Sequence, residues 1–147
     1  MNEAVLDASV VLRWAFDDET DREGALRVAA RLADGSLRAV APPTFLAEVA
    51  GVLVRATRAG RLSKDAADAV MSALVKVAID EVEPHGFAVA AMKHALGHGL
   101  HVQDATYLET ARRTGATLVS ADRAQLQAAT VMGLATLALG EVPAPPE

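Results

Sequence analysis

Short apolar segments alternate with longer amphipathic segments along the chain, and this alternation constrains the fold more than any other feature. Apolar runs that predict strands lie at residues 5–6, 37–41, 79–82, 117–120 and 134–139. Apolar residues at helical spacing among charged ones predict helices near 10–16, 20–33, 44–59, 63–78, 87–96, 102–113 and 123–129. Strands that alternate with helices predict an α/β fold, in which helices flank a mostly parallel central sheet of four to five short strands.

Capping residues mark several of the predicted helix ends. Ser9, Thr44 and Ser63 each precede an apolar periodic segment and are predicted N-caps. Gly115 is a predicted C-cap. With Thr44 as the cap, Glu48 falls in the second turn of its helix.

The length and composition of the chain predict one domain. A chain of 147 residues with 52% hydrophobic residues can fill a single core. We expect this domain to span residues 1–140 and the Pro-rich residues 141–147 to form a flexible tail.

Charge and cysteine content exclude several classes of protein. The 14 basic and 19 acidic residues give a formal net charge of −5, which argues against a protein that coats nucleic acid through bulk charge. The chain has no cysteine, so disulfides, thiolate zinc sites and thiol nucleophiles are excluded. No signal peptide is evident, and apolar runs such as residues 131–139 are far shorter than the ~20 residues that cross a bilayer. We expect a soluble cytoplasmic protein that does not contact a membrane.

Acidic residues stand at the ends of several predicted elements. Asp7 directly follows one predicted strand, and Asp122 stands two residues past another. In parallel sheets, ligands bind beyond the carboxyl ends of the strands. Glu48 and Asp104 lie on predicted helices. Taken singly, each acid fits a helix cap or a solvated helix position. Taken together, clustered carboxylates are the oxygen ligands that Mg²⁺ and Mn²⁺ prefer.

The segment Asp7-Ala8-Ser9-Val10-Val11-Leu12-Arg13-Trp14 resembles the opening of PIN-domain proteins, especially of VapC-type toxin ribonucleases. Residues 43–49 (PTFLAEV), 103–108 (QDATYL) and 117–123 (TLVSADR) are similar to the second, third and fourth acidic motifs of that family. Gln103 stands where Tyr is frequent in the family, and Ser120 where Thr is common. The resemblance covers about residues 6–139, and its four motifs in order favour a shared acidic site over four separate structural roles.

The resemblance implies a Mg²⁺- or Mn²⁺-dependent endoribonuclease that leaves 5′-phosphate and 3′-hydroxyl ends. By analogy, Asp7 and Asp104 ligate the metal directly or through water, while Glu48 and Asp122 complete the cluster or hold its waters. Ser9 or Ser120 would hydrogen-bond a carboxylate or the phosphate.

The same resemblance implies an RNA substrate, a homodimer and a small VapB-like antitoxin whose C-terminal segment wraps the toxin and often brings an Arg to the acidic site. Two other functions stay open. The chain could be a metal-binding but catalytically silent interaction module. It could also be a receiver-like or phosphoryl-transfer domain, although Ser9 stands where a second Asp is expected and no Gly-rich phosphate loop is present.

Other polar and aromatic residues have weaker functional interpretations. The histidines His94, His98 and His101 could suggest a zinc or copper site, but a surface cluster at a helix end near Gly97 is favoured. The residues Trp14 and Phe16 are expected in the core or at a subunit interface. Three arginines recur at helical spacing after Glu48: Arg55, Arg58 and Arg61. They are equally consistent with an edge that binds phosphate and with a solvated helix face.

Overall fold

The computed structural model describes residues 1–147 and contains a five-stranded sheet in which every strand pair is parallel. The strands are β1 (Glu3–Leu6), β2 (Arg38–Ala41), β3 (Ile79–Glu81), β4 (Thr117–Ser120) and β5 (Thr136–Ala138). The helices are α1 (Ala8–Ala15), α2 (Arg22–Ala33), α3 (Phe45–Arg58), α4 (Lys64–Lys76), α5 (Phe87–His98), α6 (Val102–Thr114) and α7 (Arg123–Val131). The predicted α/β fold with a parallel sheet is confirmed.

The strand order β3-β2-β1-β4-β5 places a topological switch between β1 and β4. From β1 the chain first builds the sheet toward β2 and β3, and later returns to add β4 and β5 on the other side. Loops that leave the carboxyl ends of β1 and β4 therefore diverge to opposite faces, and a crevice forms between them. Asp7 follows β1 at this crevice and Asp122 lies just past β4.

Apolar side chains cover both faces of the sheet, as the buried strand sequences predict. Val5 and Leu118 face the larger core, which also contains residues of α3, α4 and α6. Leu6 and Val119 face the smaller core, built with residues of α2. Successive strand residues alternate between the two cores because the side-chain period of a strand is two.

The C-terminal part of the chain packs against α2. A 3-10 turn over Leu139–Glu141 follows β5, and both Leu139 and Val142 are buried in the smaller core. Gly24 of α2 permits this contact, since a Cβ atom there would lie 2.0 Å from the carbonyl oxygen of Leu139. The predicted domain boundary at residue 140 falls within this turn, and residues 142–147 form no helix or strand.

The start of α1 differs from the prediction. Asp7, not Ser9, occupies the N-cap position, because β1 ends at Leu6 and the extended backbone of Asp7 leads directly into the helix. Ser9 lies inside the first turn.

Other helix ends differ less. Thr44 occupies the N-cap position of α3, as predicted, but Glu48 lies in the first turn of this helix and not the second. The predicted cap at Ser63 is confirmed by its side chain, which accepts a hydrogen bond from the N–H of Ala66.

Helix α5 is longer than predicted. It continues through Gly97, which has open space around it, to His98. Gly99 then ends it with a φ of +66°, a conformation that favours glycine. None of the helices has the length and apolar character that crossing a membrane requires.

Candidate active site

Four carboxylates line one cavity of about 410 Å³ at the carboxyl ends of β1 and β4. Asp7 follows β1 and Asp122 follows β4, whereas Glu48 and Asp104 lie in the first turns of α3 and α6. Ser9 is a further polar residue of the cavity wall. The structure therefore brings together the four acids that the sequence motifs single out.

Asp7 is held by its neighbour in α1. The hydroxyl of Ser9 donates a hydrogen bond to Oδ2 of Asp7 over 2.8 Å. Burial raises the pKa of Asp7, and the charges of Asp104 and Asp122 raise it further, although the Ser9 hydrogen bond opposes the shift. The ionised form of Asp7 is thus held in place by a neutral hydroxyl and forms no salt bridge.

Glu48 receives a hydrogen bond from α6. The phenolic hydroxyl of Tyr107 donates to Oε2 of Glu48 over 3.0 Å. Burial raises the pKa of Glu48, as do the charges of Asp7 and Asp104, while Tyr107 and Arg55 lower it. The same two forces, desolvation and repulsion between acids, therefore act on Glu48 and Asp7.

Asp104 and Asp122 are linked through α7. Burial raises the pKa of Asp104, as does the charge of Asp122. The side-chain amide of Gln125 donates to the carbonyl oxygen of Asp104 over 3.1 Å, and the backbone N–H of Gln125 donates to Oδ1 of Asp122 over 3.1 Å. Asp122 is therefore both a helix cap and a cavity residue.

The two serines have different surroundings. Ser9 contacts a carboxylate within the cavity. Ser120 is fully buried, and its hydroxyl accepts a hydrogen bond from the backbone N–H of Asp122 over 2.9 Å. Ser120 therefore fixes the backbone that carries Asp122 and does not contact a carboxylate.

Three residues near the cavity were not predicted as site residues: Tyr107, Gln125 and Arg13. Tyr107 lies three residues after Asp104, a spacing that places both on one helix face and could have identified it. Gln125 is three residues after the N-cap Asp122, a position whose backbone N–H commonly donates to the cap side chain. No sequence pattern indicates the contact between its side chain and Asp104. Arg13 lies on the cavity wall one helical turn after Ser9.

The donor set fits a hard divalent cation. No group of three or more His, Asp or Glu side chains is arranged so that it could hold a metal ion by itself. The cavity nevertheless offers four carboxylates and the Ser9 hydroxyl as oxygen donors, and the acids with raised pKa values destabilise one another without a cation. Mg²⁺ usually keeps several waters and takes one or two carboxylates, so a cation bound partly through water suits this arrangement.

The three histidines do not share one place. His101 is the N-cap of α6, and its charge opposes the rise in the pKa of Asp104, whereas His94 belongs to a different part of the molecule. Nε2 of His94 lies 2.7 Å from Oε2 of Glu109, a fully buried carboxylate that also accepts hydrogen bonds from Arg112 and Arg113. Burial alone would raise the pKa of Glu109, but the hydrogen bonds of Arg112, His94 and Arg113 lower it to about 2. This network joins α5 to α6 outside the acidic cavity.

The aromatic residues singled out from the sequence lie mostly in the interior. Nε1 of Trp14 donates to the carbonyl oxygen of Ala25 over 3.0 Å, and the half-buried ring packs against both cores. Phe16 is buried, with the guanidinium of Arg61 3.9 Å from its ring centroid. Arg58 borders an apolar groove between α3 and α4.

Comparisons with known proteins agree with this architecture. The family model of the PIN domain matches residues 4–131. The crystal structure of PAE2754 from Pyrobaculum aerophilum is similar to this chain with a TM-score of 0.67 and 21% sequence identity, over 94% of this chain and 90% of that one. At this identity, the likeness shows a shared fold. No curated protein matches the chain.

Proposed function

The chain belongs to the PIN domain family, and from this premise we propose that it is a metal-dependent endoribonuclease, the toxin of a VapC-type toxin–antitoxin pair. PIN domains are generally nucleases and typically use divalent metal ions. The observation that carries the proposal is the single cavity lined by Asp7, Glu48, Asp104 and Asp122 at the switch point of the sheet.

In this proposal, Asp7 and Asp104 bind Mg²⁺ or Mn²⁺ directly or through water, and Glu48 and Asp122 complete the site. When bound, the cation supplies an acidified water for attack on an RNA phosphodiester and positive charge near the phosphate oxygens. The chain itself orients three of the carboxylates. Ser9 holds Asp7, and Tyr107 of α6 holds Glu48. The backbone N–H of Gln125 in α7 holds Asp122.

The proposed partners are an RNA substrate, a VapB-like antitoxin and a second copy of the chain, in the cytoplasm. Three apolar side chains of α5 are exposed and offer surface for a protein contact: Val89, Met92 and Leu96. They do not by themselves distinguish an antitoxin from a second copy.

Cleavage of a labelled RNA pool in Mg²⁺ and in a chelator tests the proposal. We expect cleavage in Mg²⁺, none in the chelator, and a loss of at least about 100-fold in Asp104→Asn, because removing a ligand weakens cation binding. Asp80→Asn is the matched control, since this exposed acid of the edge strand β3 pairs with Arg38 of β2. Equal cleavage by Asp104→Asn and Asp80→Asn would overturn the metal-centred mechanism.

A catalytically silent metal-binding module is the second candidate. It is favoured by the use of Asp122 as a helix cap, since its Oδ1 already accepts a hydrogen bond from the backbone N–H of Gln125. Calorimetric titration with Mn²⁺ separates the two functions when combined with the cleavage assay. Binding that disappears in Asp104→Asn, without any RNA cleavage, would support the silent module.

A further inference from the structure

A second cavity, of about 490 Å³, adjoins the acidic one between α1 and α3. Both cavities are lined by Ser9, Leu12, Arg13 and Val52, so they share one wall. A chain-like ligand whose reactive bond lies among the carboxylates can therefore continue into the second cavity. Its volume is in the range of small-ligand sites, which suits one or two nucleotides of a single strand.

The charge of this second cavity is opposite to that of the first. Its lining contains Arg13, Arg55 and Arg61 and only one acid, Glu19. We call this cavity the arginine groove. Because the whole chain has a net charge of −5, attraction of a polyanion must come from a local surface of this kind.

Arg13 is fixed in the wall common to both cavities. Its guanidinium donates to the carbonyl oxygens of Ser9, over 2.9 Å, and Thr20, over 2.8 Å, and its side chain is 12% exposed. Neutral carbonyl groups orient the guanidinium without cancelling its charge. The nearest carboxylate, that of Glu19, is 4.0 Å away.

Arg55 and Arg61 differ in their pairing. Arg61 lies over the Phe16 ring and pairs with Glu19 and Asp18 over 2.8 and 3.3 Å, so its charge is largely compensated. Arg55 is exposed and forms no ion pair or hydrogen bond through its side chain. It is thus the arginine of the groove that is most available to an anion.

Resting on the proposed nuclease function, we propose that the arginine groove binds the RNA backbone next to the bond that is cut, with Arg13 and Arg55 contacting phosphate. Arginine is suited to this role because its planar guanidinium forms charge-assisted paired hydrogen bonds with phosphate oxygens. Contacts of this kind set the position of the strand and do not read its sequence. Apolar groups of Leu12, Val52 and Ala56 offer surface for sugars and bases.

Binding of a fluorescein-labelled oligouridine, measured by anisotropy over a series of salt concentrations, tests this proposal. The Asp104→Asn background prevents cleavage during the measurement. For single strands, each phosphate contact contributes about 0.7 to the slope of log K against log salt. We expect Arg55→Gln to weaken binding several-fold and to reduce the slope by about 0.7.

Arg58→Gln is the matched control. Arg58 lies on the same helix, is also exposed, and borders the groove between α3 and α4 instead. We expect its affinity and slope to equal those of the background protein. Equal slopes for Arg55→Gln and Arg58→Gln, or no binding of the oligouridine, would overturn the arginine groove as an RNA site.

Cleavage by the otherwise native chain separates this inference from the proposed function. A raised KM in Arg55→Gln, but not in Arg58→Gln, would support both. If the native chain cleaves RNA but Arg55→Gln and Arg58→Gln have the same slope and the same KM, the nuclease function would stand and the arginine groove would be overturned as an RNA site. If Arg55→Gln reduces the salt slope of binding but the native chain cleaves no RNA, the arginine groove would be supported and the nuclease function would be overturned.

Discussion

The hydroxyl of Tyr107 donates to Glu48 over 3.0 Å and accepts a hydrogen bond from the backbone N–H of Ala8 over 3.3 Å. One buried side chain of α6 is thereby joined to α3 and to the start of α1. Burial raises the pKa of Tyr107, as do the charges of Asp7 and Glu48, so the hydroxyl stays protonated and remains a donor. Tyr107 therefore positions one member of the acidic cavity from the core.

Replacing Tyr107 with Phe should lower both stability and metal affinity. The ring and its edge-to-face contact with Phe45 would remain, but the N–H of Ala8 and the carboxylate of Glu48 would lose a partner. We expect a loss of about 1–3 kcal/mol in the free energy of unfolding, measured by urea denaturation. Mn²⁺ affinity should fall about 10-fold or more.

Thr106→Val is the control for this change. It removes a neighbouring hydroxyl that donates only to the carbonyl oxygen of Gln103 in the same helix. Its metal affinity should match that of the native chain. Unchanged Mn²⁺ affinity in Tyr107→Phe would mean that Tyr107 supports the fold but not the site.

Asp7→Asn should make the metal-free protein more stable than the native chain at neutral pH. The pKa of Asp7 is raised in the folded state, so its favourable contribution is present below its ordinary value of 3.8 and is lost as pH rises through the raised value. An amide does not titrate and escapes this loss. The difference in melting temperature should therefore grow from about pH 4 upward.

The titration of Glu109 at low pH does not affect the comparison of melting temperatures between Asp7→Asn and the native chain. Its folded pKa of about 2 gives stability that is present above its ordinary value of 4.5 and is lost as pH falls. Both proteins share this group, so it cancels in the difference.

Addition of Mn²⁺ should stabilise the native chain and not Asp7→Asn. A pH-independent difference between the two proteins would show that Asp7 is not under electrostatic strain.

The order of the elements could be predicted from the sequence because buried parallel strands and amphipathic helices have distinct periodicities. The ends of the helices could be predicted less well from the sequence. Asp7 and Ser9 are about equally good caps by residue type, and Asp7 takes that position because the strand ends one residue before it. The backbone path decides this, and residue preference alone does not.

The acidic residues could be located from motifs, but the groups that hold them could not. Ser120 supports the backbone of Asp122, whereas its residue type suggested a carboxylate contact. Gln125 contacts Asp104, 21 residues before it in the chain, as well as the nearby Asp122, and only the packing of α7 against α6 creates the first contact. Sequence periodicity carries no information about such pairings between elements.

Gly24→Ala should disrupt the packing of the C-terminal turn on α2. The added methyl group would lie 2.0 Å from the carbonyl oxygen of Leu139, a backbone atom that cannot rotate away. We expect a loss of about 1–3 kcal/mol in the free energy of unfolding. Gly97→Ala is the control, because it makes the same change within a helix but meets open space, and it should gain up to about 1 kcal/mol. Equal effects would mean that the turn does not pack on α2 in solution.

Expression of this chain alone in a bacterial host should arrest growth, and co-expression of a cognate antitoxin should reverse the arrest. The physical reason is competition for one site, since an antitoxin Arg can pair with the carboxylates where the cation and phosphate would otherwise bind. Colony counts after induction measure the arrest. Asp104→Asn should abolish it, whereas Asp80→Asn should not, because Asp80 lies on the far edge strand.

The affinity of the purified chain for that antitoxin tests whether the acidic cavity is the site of inhibition. Replacing the antitoxin Arg should weaken binding, and so should Asp7→Asn or Asp104→Asn, because each removes one side of a charge-assisted pair. Combining the two changes should cost less than the sum of their separate effects if the groups contact each other. An affinity that is indifferent to all of these substitutions would place the antitoxin elsewhere, for instance on the exposed apolar face of α5, and would exclude direct blocking of the cavity.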